Sequence, residues 1–434
     1  MSDEKDEKQS LLEKLSLEPI EIAIPSGVEY SYPGYEHCPV IQLRHFHRDR
    51  NGNLLCELSA FCVDADIITP VVGVRWNLSS LTTRKQLANG IKDGFLDTSA
   101  TWMEWDRLLA DTALRALKFY RGGREVEDIW PVEEIPQPAF LIDPVLPLHQ
   151  PTILFGDGGS GKGHLAMTLA LISQLPWGDN PLGLTPLEKP TNCLYLDYES
   201  DRGDFERILS GLCLGLGINI GVKRLPMGVP LADYTEQLGN RISEDNIGLL
   251  VVDSLGLAAG GNINDAEQAI RFYGALRQLE NITTLIIAHN SKDPLNKTKS
   301  VFGSVFFSNL ARSVWEVKKS QEPDSPEMAV SLKHKKFNRK QRLPLGFRYT
   351  FDDESGAITV ARQDLSNTEL SGELPLYLQI KNLLLDGALT KSEIAEALGL
   401  TEAQIKQPLY KHKGLFINIG GGQTWGVIAE PEGK

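Results

Sequence analysis

Residues 156–163 of the chain read GDGGSGKG, set between an apolar run, ILF, and a stretch of helical character, HLAMTLALI. The pattern is that of a phosphate-binding loop, G-x-x-x-x-G-K-[ST], in its required context between a strand and a helix. Its glycines, Gly156, Gly158, Gly159 and Gly161, let backbone N–H groups converge on phosphate oxygens together with those of Asp157 and Ser160. The N-terminus of the following helix adds a favourable dipole. Lys162 would neutralise the β- and γ-phosphates. The last letter departs from the pattern: Gly163 stands where a Ser or Thr hydroxyl would ligate Mg²⁺. Water can take that octahedral position, so the loss weakens metal placement without removing phosphate binding. His164 follows, but a neutral imidazole is a poor magnesium ligand. ATP with Mg²⁺ is the expected ligand, with Gly163 bearing on turnover more than on binding.

Further side chains of the right chemistry end apolar runs. IGLLVVDS brings Asp253 to a strand end, the place for an acid that holds Mg²⁺ through water. NCLYLDYES ends in Asp197 and Glu199, two apart and expected on one face of a strand beside the phosphate strand. Glu199, nearer the ligand-binding strand edge, is the expected activator of the attacking water. TTLIIAHN delivers His289 and Asn290 to the same edge, where a polar group can contact the γ-phosphate and report its loss. Lys292, Lys297 and Lys299 follow in a loop hinged by Gly303, suited to coupling nucleotide state to something bound in a central channel. The segment SLKHKKFNRKQRLPLGFR carries Lys333, Lys335, Lys336, Arg339, Lys340, Arg342 and Arg348 without an acid. It fits either a nucleic-acid backbone or a neighbouring subunit's ATP.

The elements that must position these groups can be read from the pattern. Between about 140 and 365, continuous apolar runs alternate with helical stretches: TILFG, NCLYLDYE, IGLLVVDS, TTLIIAHN, SVWEVKK and MAVSLKH. Such runs suit strands buried on both faces of a mostly parallel sheet, an α/β domain, with the last strands as an antiparallel extension. Before it, PVEEIPQP reads as a linker closing a small α+β domain. That domain opens with a hairpin turned at Asn51-Gly52 and continues with the helices TTRKQLANGIKDGF and WDRLLADTALRALKFYRGG. Pairing about that turn would set His47 opposite Cys56, with His45 on the same face. No fourth ligand has zinc spacing, and a metal-free hairpin is expected. After the central domain come three short helices and a Gly-tipped hairpin, the outline of a winged helix. Its third helix, TEAQIKQPLYKHKG, offers Lys406, Lys411 and Lys413 to DNA, although Pro408 sits awkwardly inside it and the balance of lysines and acids fits a protein contact equally. The expected domains are 1–135, 136–368 and 369–434.

Composition sets the outer limits. The chain has 434 residues, a net charge of −13 and 41% hydrophobic residues, enough for sizeable cores and against a protein coated in positive charge. No apolar run reaches the roughly 20 residues of a membrane span, and the N-terminus, MSDEKDEKQS, is polar, without a secretory signal. Five cysteines, odd in number and without metal spacing, fit a reducing cytoplasm.

Taken together, PTILFGDGGSGKGHLAMTLA, NCLYLDYES, LLVVDSLGLAAGGNINDAE, TLIIAHNSKD and GSVFFSNLARSVWEVKK resemble the RepA-like branch of RecA-fold ATPases of plasmids, phages and integrated elements. The resemblance covers about 138–362. It implies a RecA-like P-loop core assembled into a ring, commonly a hexamer, with ATP between subunits. It assigns Lys162 to the phosphate lysine, Glu199 to the catalytic glutamate, Asp253 to the magnesium acid and His289 to the sensor. It also puts the Ser291–Gly303 loop on DNA and makes Arg312, Lys335 and Lys336 the candidates for a cation supplied in trans. Relatives usually have Ser or Thr at position 163. The leading expectation is a DNA-acting helicase or translocase. The alternatives are a nucleotide-gated regulator, loader or replication initiator, and an ATP-bound scaffold in an element-control or anti-phage complex.

Overall fold

Asn51 and Gly52 turn the first hairpin as their residue types require: Gly52 takes φ 80° and donates its N–H to Asp49 O at 3.0 Å. The computed structural model describes residues 18–24, 27–35, 38–62, 71–94, 104–122, 128–291, 299–337, 341–421 and 423–428. They form two compact units, Met1–Ile135 and Pro136–Lys434. In the first, β1 (Ile20–Ile24), β2 (Gly27–Ser31), β3 (Pro39–Arg48), β4 (Leu54–Cys62) and β5 (Val71–Asn77) make an antiparallel sheet in chain order. Helices α1 (Leu81–Gly94) and α2 (Trp105–Gly122) share its core, built on Tyr30, Leu43, Leu58, Trp76, Trp105 and Leu109. A bulge between Arg44 and His47 shifts the register, so His47 lies opposite Leu55 and not Cys56. Cys56 is buried opposite Trp76. The expected His–Cys face is thereby dissolved, because an irregular ladder breaks the period of two.

The second unit is organised by a nine-stranded sheet. Two short strands, β6 (Phe140–Asp143) and β7 (Leu146–Pro147), precede β8 (Pro151–Gly156), which carries the glycine-rich loop into α3 (Lys162–Ser173). Then come β9 (Thr185–Pro186), β10 (Asn192–Asp197), α4 (Arg202–Leu216), β11 (Lys223–Pro226), α5 (Thr235–Glu244), β12 (Ile247–Asp253), α6 (Leu255–Ala259), α7 (Ala266–Gln278) and β13 (Thr283–His289). They are followed by α8 (Val305–Leu310), β14 (Ser313–Ser320), β15 (Glu327–Phe337), β16 (Leu345–Phe351) and β17 (Ile358–Gln363). The spatial order is β11-β10-β12-β13-β8-β14-β15-β16-β17. All pairings from β11 to β14 are parallel, and the last three are antiparallel. The central strands are apolar on both faces because both are covered. Leu154, Leu285 and Ile287 pack toward α3, while Ile153, Phe155 and Ile286 pack toward α7.

This order corrects one expectation. The strand bearing Glu199 is not beside the phosphate strand: β13 and β14 flank β8, and β10 stands beyond β12. The switch point of the sheet, where ligands bind in such folds, nevertheless falls at β8.

After β17, 3₁₀ turns at Leu365–Asn367 and Glu369–Glu373 lead into α9 (Leu376–Leu385), β18 (Leu389–Thr390), α10 (Lys391–Ala397), α11 (Glu402–Lys411), β19 (Phe416–Ile419) and β20 (Thr424–Val427). Capping boxes start α10 at Thr390 with Glu393, and α11 at Thr401 with Gln404. Ile380, Leu384, Ile394, Ile405, Leu409 and Trp425 form a separate core. Helix α11 runs through Pro408. Glu373 fastens the approach to this module: Lys318 Nζ lies 2.5 Å from Oε1 and Lys333 Nζ 3.1 Å from Oε2. Burial alone would raise the Glu373 carboxyl, but these two ammonium groups hold it below the usual range.

Glycines set the distance between α4 and β17. A Cβ at Gly215 would stand 2.2 Å from Ile358 O, whereas one at Gly163 would meet nothing within 4 Å. Gly215→Ala is therefore expected to cost about 1–3 kcal/mol or more by overpacking, and Gly163→Ala to cost no stability. Thermal unfolding followed by circular dichroism compares the two; equal midpoints would contradict the close approach.

Candidate active site

The loop after β8 is shaped by backbone conformations that side chains resist. Gly161 has φ 87°, and a Cβ there would come within 3.1 Å of Met328 Cε and 3.2 Å of Val330 Cγ2. This turn folds Lys162 back over the loop. Its Nζ donates to the carbonyls of Gly156 (2.9 Å) and Asp157 (2.7 Å) and lies 3.4 Å from Ser160 Oγ. Lys162 is 5% exposed. Burial lowers its pKa, while Asp253, Glu199 and Asp157, in that order, raise it. Gly163 faces open space, large enough for the hydroxyl it lacks. His164 turns its ring to Tyr349 (centroids 5.9 Å) and Phe351 (5.5 Å), leaving only its backbone for a phosphate. Burial lowers its pKa and keeps it neutral.

The strand-end residues converge on the same edge. Asp253 accepts a hydrogen bond from Tyr195 Oη at 2.7 Å. Burial, partly offset by that bond, pushes its carboxyl up to about 6. Beside it, Ser254 Oγ donates to Glu199 Oε1, and the Asp253–Ser254 peptide is cis. His289 Nε2 lies 3.6 Å from the same Glu199 oxygen, and both side chains are partly exposed. His289 pairs in register with Gly156, which brings β13 to the root of the loop. Asp197 does not share a face with Glu199. Its side chain is wholly buried, where Oδ1 accepts the N–H groups of Glu199 (3.1 Å) and Ser200 (2.8 Å). That leaves Glu199 as the carboxylate open to the edge.

Asp157 is pinned from the far side of the loop. Lys299 donates to its Oδ2 and Asn290 Nδ2 to its Oδ1 at 2.9 Å, in that order holding its carboxyl below the usual range. Lys299, expected on a DNA-contacting loop, thus reaches the phosphate loop instead. Lys292 and Lys297 lie outside the described residues. The other basic segment is engaged internally. Lys333 meets Glu373, Lys335 Nζ lies 2.8 Å from Glu316, Arg342 reaches Asp143 at 3.3 Å, and Arg348 reaches Glu327 at 3.6 Å. Lys336 Nζ donates to the carbonyls of Ser308, Asn309 and Ala311 at 2.7–2.8 Å, closing the C-terminal end of α8. Arg339 and Lys340 lie outside the described residues. Each described cation of the segment thus has a partner within the chain. Arg312 is exposed. With Lys335 and Lys336 it sits near the start of β14, where Arg312 N bonds Pro151 O, at the edge of the sheet opposite the loop. Lys406, Lys411 and Lys413 are exposed on and just after α11.

The residues present suit a magnesium nucleotide in part. Asp253 offers the carboxylate that would hold the ion, and position 163 offers no hydroxyl. The bound ion would supply positive charge against the phosphates. Sequence reasoning passed over Ser254 and Arg224, whose roles come from contacts far apart in the chain. Only Ser254, next to a strand-end acid, carried a local signal.

The raised Asp253 carboxyl has a signed consequence. Between its ordinary value of 3.8 and about 6 the native state holds a proton that the unfolded chain lacks. The contribution of this group to stability therefore rises as pH falls through that window and is lowest above it. Asp253→Asn is expected to raise the stability of the ligand-free protein at neutral pH by up to about 3 kcal/mol. The advantage should shrink below about pH 6, as thermal midpoints across pH would show.

Residues 118–294 match a protein family described as AAA domain. A search of the curated proteins found no match. Among solved structures, the chain is similar to a KaiC-like protein from the hyperthermophilic archaeon Pyrococcus horikoshii OT3. The two are 15% identical, the match covers 53% of this chain and 99% of that one, and the TM-score is 0.32. The family match, the glycine-rich loop at the switch point and the strand-end acids support a nucleotide-binding P-loop domain in the second unit.

Proposed function

We propose that this chain is an ATP-hydrolysing motor acting on DNA, of the RepA-like helicase type. The observation that carries the reading is the meeting of Lys162, Asp253, Glu199 and His289 at one sheet edge, with Lys299 and Asn290 joining the phosphate loop to the segment after β13. In this reading Lys162 binds the terminal phosphates and Glu199, aligned by Ser254 and His289, polarises the attacking water and accepts its proton. Loss of the γ-phosphate is felt by His289 and passed to residues 291–303 on single-stranded DNA. Arg312, exposed and on the far edge of the sheet, can serve only a neighbour's site, which favours a ring, commonly a hexamer. Lys335 and Lys336, engaged within the chain, are weaker candidates. The 369–434 module, read as a winged helix, presents Lys406, Lys411 and Lys413 to duplex DNA.

A second reading, a nucleotide-gated switch with slow turnover, is favoured by two observations. Gly163 offers no metal ligand, and Glu373 ties the C-terminal module to β14, the strand beside the loop. Steady-state ATP hydrolysis with and without single-stranded DNA separates the two. The motor reading expects stimulation by DNA and a loss of about a hundredfold or more in Lys162→Ala, with Gly163→Ser at least as active as the native chain. A native protein that binds ATP but turns over only as Gly163→Ser would discard the motor and leave the switch.

A further inference from the structure

The turn that carries Glu199 is held by a residue of another strand, Arg224 of β11. Arg224 Nε donates to Asp197 Oδ2 at 2.8 Å, and its Nη2 donates to Ser200 O at 2.8 Å. The guanidinium also lies 5.5 Å from the ring centroid of Phe205, in the first turn of α4. The other oxygen of Asp197 accepts the N–H groups of Glu199 and Ser200. Two backbone bonds complete the clasp: Tyr198 N to Asp253 O at 2.7 Å, and Met227 N to Asp197 O at 2.9 Å. Glu199 itself is in none of the side-chain contacts of Arg224.

We propose that Arg224, acting through buried Asp197, is a positioning residue that fixes the Glu199 turn for water activation. The inference rests on the reading of Glu199 as the catalytic carboxylate. A half-exposed glutamate on a free turn samples many rotamers and backbone positions. Here both peptide groups that orient it, the N–H groups of residues 199 and 200, are bonded to one ionised carboxylate. That carboxylate tolerates burial because Arg224 pairs with it by a charge-assisted bond. Guanidinium geometry is needed: a single planar group reaches the carboxylate, the Ser200 carbonyl and the Phe205 ring together, which an ammonium cannot do. The arrangement prepares the reacting geometry in advance and leaves the phosphate contacts of Lys162 untouched.

The test is a double-mutant cycle in the full-length chain, with kcat for ATP hydrolysis, Kd for Mg-ATP by titration calorimetry, and thermal midpoints as readouts. Arg224→Ala is expected to lower kcat roughly ten- to hundredfold, the range expected for misplacement of a catalytic group, with Kd unchanged. In a Glu199→Gln background the same substitution should cause no further loss, because the two act as one unit. Arg224→Lys should fall between the native chain and Arg224→Ala, and Asp197→Asn should lower kcat without changing Kd; these two milder variants carry the test if Arg224→Ala does not fold. An equal additional loss in the Glu199→Gln background would overturn the proposal. So would a parallel loss of ATP affinity, or native kcat in all three variants while Glu199→Gln is inactive. Native turnover in Glu199→Gln would remove the catalytic role of Glu199 and this inference with it.

Discussion

A lysine buried among carboxylates, without a direct ion pair to any of them, is the arrangement on which the rest of the second unit depends. Lys162 is held by two loop carbonyls, while Asp253 and Glu199 act on its charge from farther away. Each carboxylate is in turn kept from collapsing onto it. Tyr195 holds Asp253, Ser254 holds Glu199, and Lys299 with Asn290 holds Asp157. Charges buried at short range bind their nearest opposite unless geometry forbids it. These competing bonds, to neutral hydroxyls at Asp253 and Glu199 and to Lys299 and Asn290 at Asp157, leave the Lys162 ammonium without a carboxylate partner of its own.

The sequence made part of this visible. The loop, the strand-end acids and the alternation of strands and helices are local signals, each contained in a dozen residues or fewer. Strand order is not local, and so β10 could be mistaken for a neighbour of β8. Asp197 and Glu199 look alike in a string; only the backbone turn after Asp197 buries one and exposes the other. Strands β11, β16 and β17 were not legible, since Gly346 and Arg348 interrupt the apolar run of β16, ITVARQ ends in polar residues, and KRLP is short and begins with two charges. The pairing of the basic run from Lys333 to Arg348 was not legible either. Its partners, Glu316, Glu327, Glu373 and Asp143, are scattered along the chain, so the neutralisation appears only when the sheet is assembled.

The C-terminal module adds a second layer of dependence. Its approach is tied to β14 and β15 by Glu373 between two lysines and by Glu369 with Ser320. Lys318 lies on β14 opposite Ser331 and Lys333 on β15 opposite Glu316, so the tie spans the junction at which the sheet changes from parallel to antiparallel. That junction lies one strand from the phosphate loop, which gives both functional readings a common physical route between nucleotide and module.

Helix α3 shows how that route must run. From Leu165 to Ser173 every residue of the helix is buried. The same core includes Met328, Val330, Phe347, Tyr349 and Val360 of the antiparallel extension, and α4 is backed directly onto β17 through Gly211 and Gly215. The helix that bears the phosphate loop is therefore a post set in close-packed material, and it cannot tilt or slide without repacking everything around it. The contacts of the loop with its neighbours run sideways, from Asp157 to Asn290 and Lys299 and from Gly156 toward Val317, off the axis of the helix.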